Sequence, residues 1–133
     1  MMSWVLSAFA AIAVAQATPP PPRPADPLTV EIETGDADRL AALFERTGGQ
    51  PTAEQLQRAY LDNGSYGVRV FTPDRIVDAR NLAAAIKAKP DLYARAIRTC
   101  LPIVKDTTAE LRATYLAFRG LFPERALPRI YLS

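Results

Sequence analysis

The amino-acid sequence predicts a mainly helical fold with short β-strands, an α+β arrangement containing four or five amphipathic helices. Apolar residues recur at helical spacing through most of residues 36–119, as expected for helices with one buried face. Short alternating runs at 28–33 and 128–132 predict an N-terminal and a C-terminal strand. Helix-capping residues stand where one periodicity gives way to the next, and this agreement indicates a specified fold.

Residues 1–17 are interpreted as a secretory signal peptide. Residues 4–14 are apolar but too few for a stable membrane anchor. The following Ala15-Gln16-Ala17 has the small-x-small pattern that signal peptidase accepts, although no lysine or arginine precedes the apolar run. The alternative, a buried or membrane-surface helix, is disfavoured by the proline run that follows directly. We expect cleavage after Ala17 and export to the periplasm or the medium, with no stable membrane anchor.

Residues 18–27 contain six prolines and are interpreted as a linker. Proline fixes φ and removes the amide donor, so this segment favours an extended polyproline II conformation. A ligand for an SH3-like domain is the alternative, and a simple spacer is the interpretation we favour. The helical domain is then expected to span residues 28–133.

The first half of this domain is predicted to contain a strand and two helices. The alternation of 28–33 predicts a half-buried strand, and Asp36 is predicted to cap the helix that follows. Gly48-Gly49 is predicted to end that helix. Thr52 and Gln55 fit a capping box for a second helix, in which hydroxyl and amide each satisfy a free backbone N–H. The inward-facing residues are Leu40, Leu43 and Phe44 in the first helix, and Leu56, Tyr60 and Leu61 in the second.

The stretch 65–71 is expected to be non-helical. Ser65-Tyr66-Gly67 is too loose for a helix, and residues 68–71 are interpreted as a short extended run. Thr72 and Pro73 then fit the cap and the first position of another helix. A break in that helix near Asn81 is one interpretation. Its predicted apolar side consists of Ile76, Val77, Leu82 and Ile86.

Two more helices are predicted before the C-terminal strand. Pro90 opens the first of them, and Pro102 is expected to end or kink it. The last helix is predicted to span residues 102–119, although a capping box of Thr107 with Glu110 leaves its start open. Its apolar stripe consists of Val104, Leu111, Tyr115 and Phe118. Leu116 and Leu121 lie off this stripe and are expected to be exposed.

Composition excludes several classes of function. The chain of 133 residues carries a net charge of +2 with its arginines scattered, so no nucleic-acid partner is expected. Histidine is absent, which removes the commonest general base and the commonest zinc ligand. The single cysteine, Cys100, cannot form an intramolecular disulfide. We predict no catalytic, cofactor-binding or metal-binding residue and no cofactor.

Four features with some site chemistry have simpler structural explanations. Glu31 and Glu33 could share a cation from one strand face, but a solvated face is favoured. Residues 62–65 offer oxygen ligands but lack the spacing and closing glutamate of an EF-hand loop, so a helix end and turn is favoured. Cys100 lies on an apolar helix side and is expected to be a small buried hydrophobe. The five tyrosines are dispersed and are expected in the core or in interfaces.

Three runs resemble a known family: YLDNGSYGVRVF at 60–71, NLAAAI at 81–86 and AELRATYL at 109–116. With the signal peptide, they resemble the N-terminal half of exported bacterial proteins described as zinc-dependent proteases of the zincin type. In that family a strand like residues 128–132 precedes a Gly-rich segment and a helix bearing H-E-x-x-H. The two histidines would bind zinc and the glutamate would act as general base. Without a histidine, no catalytic residue carries over, and the resemblance implies an inactive, incomplete zincin-like domain.

Two other functions remain open at this point. A complete helical module that binds a protein or a ligand in the cell envelope is the main alternative, and a stand-alone enzyme ranks third. If the domain is incomplete, the strand at 130–132 lacks part of its sheet and presents an uncovered edge. We then expect marginal stability and self-association through the C-terminal strand.

Overall fold

A short parallel pair of strands joins the two ends of the folded chain. The computed structural model describes residues 19–133, so the predicted signal peptide at 1–17 lies outside the described residues. Strand β1 (Ile32–Glu33) pairs with β2 (Ile130–Tyr131), which places Ile32 opposite Ile130 and Glu33 opposite Tyr131. Pairing between segments so distant in sequence depends on the helices that lie between them, and the strand patterns alone did not predict it.

The predicted N-terminal strand is shorter than its alternating pattern suggested. The N–H of Val30 donates to the C=O of Asp26 at 2.8 Å, and the N–H of Leu28 donates to the Oδ1 of Asp26 at 2.9 Å. These bonds fold residues 26–30 into a turn and leave Leu28 67% exposed. Extension to residue 28 was therefore wrong, because an Asp side chain that bonds to the backbone two residues on favours a turn.

Six helices are present in the part of the chain that the structure describes, and the predicted mainly helical class with short strands is confirmed. Three of them contain a π-helical segment, in which the hydrogen bond spans five residues. None of the six is long and apolar enough to cross a bilayer. They are α1 (Gly35–Arg46), α2 (Ala53–Leu56, continued by the π-segment Gln57–Leu61), α3 (Tyr66–Phe71, continued by the π-segment Thr72–Ile76), α4 (Ala79–Ala88), α5 (Pro90–Arg95, the π-segment Ala96–Cys100, then Leu101–Lys105) and α6 (Thr108–Leu121).

The predicted ends of α1 and α2 are confirmed, except for one cap. Gly48 and Gly49 have φ of 59° and 81°, the left-handed conformation that ends α1 at little cost for glycine. The side chains of Thr52 and Gln55 form both bonds of the predicted capping box at the start of α2. Asp36 does not cap α1, because its carboxylate bonds to a distant loop instead.

The largest correction concerns residues 66–71, which are helical. The Oγ of Ser65 accepts a hydrogen bond from the N–H of Gly67 at 3.0 Å and so caps α3. Val68 is fully buried beneath the helix. The predicted extended run at 68–71 was wrong, since a cap and burial on one side decide the conformation of so short a segment.

Proline 102 does not break α5. The helix widens just before it, where the N–H of Leu101 bonds to the C=O of Ala96 in the π-segment. In a regular α-turn the proline ring would clash with the carbonyl four residues earlier, and the wider turn relieves that clash.

The earlier break falls at Val77, not near Asn81. Asp78 then caps α4 by accepting from the N–H of Asn81 at 2.8 Å.

The last helix begins at Thr108, the later of the two starts that the sequence left open. The hydroxyl of Thr107 donates to the C=O of Val104 at 2.7 Å, so the proposed capping box with Glu110 does not form. Tyr115 is the buried residue of the predicted stripe, whereas Phe118 is exposed. The predicted exposure of Leu116 and Leu121 is confirmed.

Buried apolar side chains form two separate clusters of very different size. The helical core consists of Leu43, Phe44, Leu56, Tyr60, Val68, Ala79, Leu82 and Ile86. The strand core consists of Ala25, Val30, Tyr115 and Leu127. Helices α1 to α4 enclose the first cluster, and α6 with the segments beside β1 and β2 encloses the second.

Candidate functional site

A groove of about 780 Å³ runs along the outer side of β2. We call it the strand-edge groove. One wall is the proline segment 21–24, the other is the exposed face of α3, and the floor is residues 126–131. Its volume falls within the range of about 300–1,000 Å³ typical of ligand pockets, although its walls are those of an open trough.

Helix α3 can approach β2 closely because residue 67 is a glycine. A Cβ at Gly67 would lie 2.5 Å from the Cβ of Tyr131, a separation that real side chains do not reach. The ring of Tyr66 lies 6.0 Å from that of Tyr131, centroid to centroid, at an interplanar angle of 47°. Such tilted pairs are favourable beyond the area they bury. The Gly67 contact therefore places an aromatic wall against the strand.

One side of β2 has backbone groups without a partner among residues 19–133. The N–H of Leu132 donates to the C=O of Glu33 at 2.9 Å, so Ile130 and Leu132 face β1. Alternate residues of a strand bond to opposite sides, which turns the N–H and C=O of Tyr131 away from β1. The proline segment on that side has few donors, because proline lacks the amide hydrogen. Tyr131 thus presents an open edge to the strand-edge groove.

The charged side chains that line the groove are both basic, Arg23 and Arg129. The Nη1 of Arg129 contacts the Oε1 of Glu33 at 2.8 Å, and its Nε donates to the C=O of Arg23 at 3.3 Å. Arg129 is therefore largely neutralised, whereas Arg23 is exposed and has no carboxylate within ion-pair distance in the described part. The groove thus carries a local excess of positive charge.

Helix α6 supports the groove from below through Tyr115. Its hydroxyl donates to the C=O of Pro128 at 2.7 Å, just before β2. Burial raises the pKa of Tyr115, so the hydroxyl keeps its proton and remains a donor at neutral pH. The N–H of Ala25 also donates to the C=O of Leu127 at 2.8 Å. These bonds attach both the floor and the proline wall to the strand core.

A buried carboxylate, Asp36, links α1 to the start of α3. It is 2% exposed and accepts hydrogen bonds from the hydroxyl of Ser65, from the N–H of Ser65 at 3.0 Å and from the guanidinium of Arg39. All these partners belong to the fold and the carboxylate has no free path to solvent. The cluster therefore fixes the loop that carries α3, and it has no open position for a substrate.

Tyr60 lies beside this cluster in the helical core. Burial raises the pKa of Tyr60 to about 12, with a further contribution from the negative charge of Asp36. A phenol with so high a pKa is neutral throughout the physiological range and cannot serve as a base. Tyr60 is a packing residue, as the sequence predicted for the tyrosines.

The paired glutamates and the oxygen-rich turn have structural roles. Glu31 lies 3.4 Å from Arg112, and Glu33 contacts Arg129, so each carboxylate has its own cation on a solvated face. Asn63 donates to the C=O of Arg58 at 2.7 Å and closes the end of α2. In residues 19–133, no group of three or more acidic, cysteine or histidine side chains is arranged to hold a metal ion.

Cys100 is exposed, and its predicted burial was wrong. It ends the π-segment of α5, which contains one more residue per turn than an α-helix. The extra residue rotates the following side chains around the axis, so α-helical spacing assigned Cys100 to the wrong side. Leu101 is the residue of this turn that is buried.

A second exposed apolar surface lies at the end of α6, and we call it the α6 patch. The rings of Phe118 and Phe122 lie 4.9 Å apart, and Leu121 is 74% exposed beside them. Leu116 is also exposed. Contiguous exposed apolar side chains are uncommon on isolated monomers and often mark interaction surfaces.

Sequence reasoning missed the features that form the groove. The pairing of β1 with β2, the helix α3 and the contact of Gly67 with Tyr131 all depend on distant residues. A signal for α3 was present in the sequence, because Ser65 is a favoured helix-capping residue and Val68 follows it at the spacing of one helical turn. Nothing in the sequence indicated that Asp36 would bond to Ser65.

Comparison with protein-family models finds no match, and neither the search of curated proteins nor that of solved structures finds one. The resemblance to zincin-type proteases therefore remains a prediction that rests on the three sequence runs. The strand-edge groove is the feature of the described residues that bears most directly on function.

Proposed function

We propose that this chain is a non-catalytic unit that packs against another protein segment through the strand-edge groove. We further propose that it corresponds to the part that precedes the catalytic helix in zincin-type proteases. The observation that carries the proposal is the open backbone edge of Tyr131 beside an apolar wall. Free N–H and C=O groups on an edge strand form strong, directional contacts with another strand.

The positions of the three family-like runs support the zincin part of the proposal. Residues 60–71 include α3, and residues 109–116 include Tyr115 of α6. Gly67 touches Tyr131, and Tyr115 donates to Pro128. Two of the three runs thus contact β2 or the residues just before it. In the family that this sequence resembles, the equivalent strand leads toward the zinc-binding helix.

Absence of proteolysis by this chain follows from its residues. A stable zinc site uses about four protein ligands, or about three in catalytic sites, most often histidine and cysteine. The sequence has no histidine and one cysteine. We expect a chelator-washed preparation to contain no stoichiometric zinc and to cleave no peptide. Stoichiometric zinc in metal analysis would contradict the proposal.

We also propose that the chain is exported, with residues 1–17 removed. The support is the apolar run and the Ala15-Gln16-Ala17 motif. Mass spectrometry of the exported product should find Thr18 as its first residue. An intact Met1 on a cytoplasmic product would contradict export.

The zincin part of the proposal has a direct genetic test. The nucleotide sequence after the codon for Ser133 should encode, in one of its frames, a Gly-rich segment and an H-E-x-x-H motif. If it does, a polypeptide carrying that segment should bind this chain, and Val70→Asp in the groove should weaken the binding. If no frame encodes the motif, the zincin assignment fails.

A separate binding module of the cell envelope is the second candidate. It is favoured by the helical core, whose eight buried residues are enclosed by capped helices within this chain. Sedimentation and thermal unfolding distinguish the two candidates. A monodisperse monomer with a sharp, reversible transition at high temperature favours the module, whereas marginal stability favours a unit that needs its partner.

A further inference from the structure

We infer that the strand-edge groove binds an extended peptide segment that alternates apolar with acidic residues and adds as a third strand beside β2. The inference rests on the proposed function and names the chemistry of its partner. Recognition of this kind takes affinity from main-chain hydrogen bonds and specificity from the side chains on either side.

The backbone groups on the outer side of β2 point into the groove. Tyr131 turns its N–H and C=O toward the groove. Arg129 lies two residues earlier, so its backbone groups point to the same side of the strand. Neither residue's backbone bonds to the proline segment within residues 19–133, although that segment lies alongside. A strand placed beside Tyr131 would satisfy the donor and acceptor of that residue, whereas at Arg129 it would meet the bond from the Nε of Arg129 to the C=O of Arg23.

The wall of the groove on α3 is apolar. Val70 and Phe71 are 38% and 51% exposed, and both line the groove together with Tyr66. Exposed apolar side chains of this size gain stability when they are covered. Since side chains of a bound strand alternate in direction, every second residue would face this wall, and those residues should be apolar.

The charged side chains in the rest of the lining are basic. Arg23 and Arg129 are the charged side chains of the groove, and no acidic side chain lines it. Arg23 lies on the wall opposite α3, where the alternate side chains of a bound strand would point. Complementary charge at such a rim favours the correct partner and speeds association. Those alternate residues should therefore be acidic.

Charge also argues against a second copy of this chain as the occupant. A symmetric pairing of two β2 edges would bring two grooves together, each with an Arg23 that has no carboxylate within ion-pair distance in residues 19–133. Like charges directly across a strand pair are destabilising. The self-association expected from the exposed edge is thus opposed by the groove's own lining, and it becomes an outcome of the test.

The test uses the purified full chain and three labelled synthetic peptides of equal length. One alternates valine with glutamate, one alternates valine with lysine, and one is the glutamate peptide with a central proline. Fluorescence anisotropy should show saturable binding of the glutamate peptide, about tenfold tighter than the lysine peptide. The central proline should abolish binding, because it removes a donor and cannot continue a paired strand.

Two variants with matched controls locate the site. Arg23→Glu should weaken binding of the glutamate peptide by about threefold to tenfold, whereas Arg80→Glu, on the exposed side of α4, should not change it. Val70→Asp should also weaken binding, and Ile103→Asp, which is exposed on α5, should not. Each control introduces the same new side chain at an exposed position outside the groove, so an effect of charge alone would appear in both variants.

Hydrogen exchange provides a readout at the strand itself. Peptide binding should slow exchange of the Tyr131 amide, which has no backbone partner in residues 19–133. Equal binding of the three peptides, unchanged exchange at Tyr131, or a dimer that protects Tyr131 without peptide would each overturn the inference. Stoichiometric zinc or proteolysis would instead contradict the proposed function, so the two failures are distinguishable.

Discussion

The helical core and the strand core differ in how completely each is enclosed. The helical core contains eight buried residues, and four helices surround it. The strand core contains four, and the α6 patch lies exposed near it. Hydrophobic stabilisation scales with the apolar area buried, so the helical core, with more buried residues, contributes most of it. The strand core gains less, and its surroundings retain the surfaces available to a partner.

This difference separates the parts of the chain by role. The helical core is stabilised by interactions that the chain completes itself, including two side-chain caps and the Asp36 cluster. The strand core positions β2 and leaves its outer edge open. We therefore expect substitutions in the helical core to change stability most, and substitutions near β2 to change binding as well.

The largest expected effect compares the same substitution in the two cores. Leu56→Ala, at a fully buried position of the helical core, should cost about 3–5 kcal/mol of unfolding free energy. Leu127→Ala, at a 2% exposed position of the strand core, should cost about 2–3 kcal/mol, because its looser surroundings can close the cavity. Denaturant unfolding of both variants measures the difference. Equal costs would show that the two cores are equally well packed.

The next prediction tests the buried link between α1 and α3. Asp36→Ala removes the acceptor of Ser65 and Arg39 and should cost about 3 kcal/mol, because it leaves buried donors without partners. The control is Glu54→Ala, which breaks the exposed ion pair with Arg58 and should change stability by less than about 0.5 kcal/mol. Chemical denaturation gives both values. A small effect of Asp36→Ala would mean that water replaces the carboxylate.

Two glycines provide a matched pair near β2. Gly67→Ala forces a Cβ against Tyr131 and should destabilise the fold by about 1–3 kcal/mol. Gly120→Ala, in α6 with nothing within 4 Å of the new Cβ, should stabilise it by about 0.5–1 kcal/mol. Thermal unfolding of the two variants should therefore move in opposite directions. A neutral Gly67→Ala would show that α3 shifts away from β2 freely.

The smallest expected effect concerns the ion pair that joins α1 to the end of α5. The Nζ of Lys105 lies 2.6 Å from the Oδ1 of Asp38, and this hydrogen bond is the main cause that lowers the pKa of Asp38 below its ordinary value of 3.8. A carboxyl group whose pKa is lowered in the folded state stabilises the fold at pH values above its unfolded-state pKa. This stabilisation is lost as the pH falls through the folded-state pKa. Lys105→Ala should therefore cost about 0.2–1 kcal/mol at neutral pH, as for exposed pairs.

Unfolding of this variant as a function of pH measures the effect. Its difference from the unchanged chain should narrow below about pH 4, where Asp38 takes up its proton in the unfolded state. A difference that persists in acid would assign the effect to packing of the lysine stem rather than to charge.

Local sequence patterns were enough to predict the helical class and several of the helix ends. The Gly48-Gly49 stop and the box of Thr52 with Gln55 act through residues within one turn, so local pattern is enough to predict them. The exposure of Leu116 and Leu121 followed from helical periodicity alone. Such features involve neighbours in sequence, and their free energies do not depend on the rest of the fold.

The groove and its open edge depend on contacts between distant residues and could not be predicted from local patterns. The segment 66–71 is helical because Ser65 caps it and Val68 is buried, although residues 68–71 were expected to be extended. The pairing of β1 with β2 requires the intervening helices, and Gly67 acquires its role only when Tyr131 lies against it. Cys100 turned outward because a π-segment shifted the helical phase. Each of these outcomes depends on contacts between residues far apart in sequence, whose loop-closure cost and packing gain are absent from any local pattern.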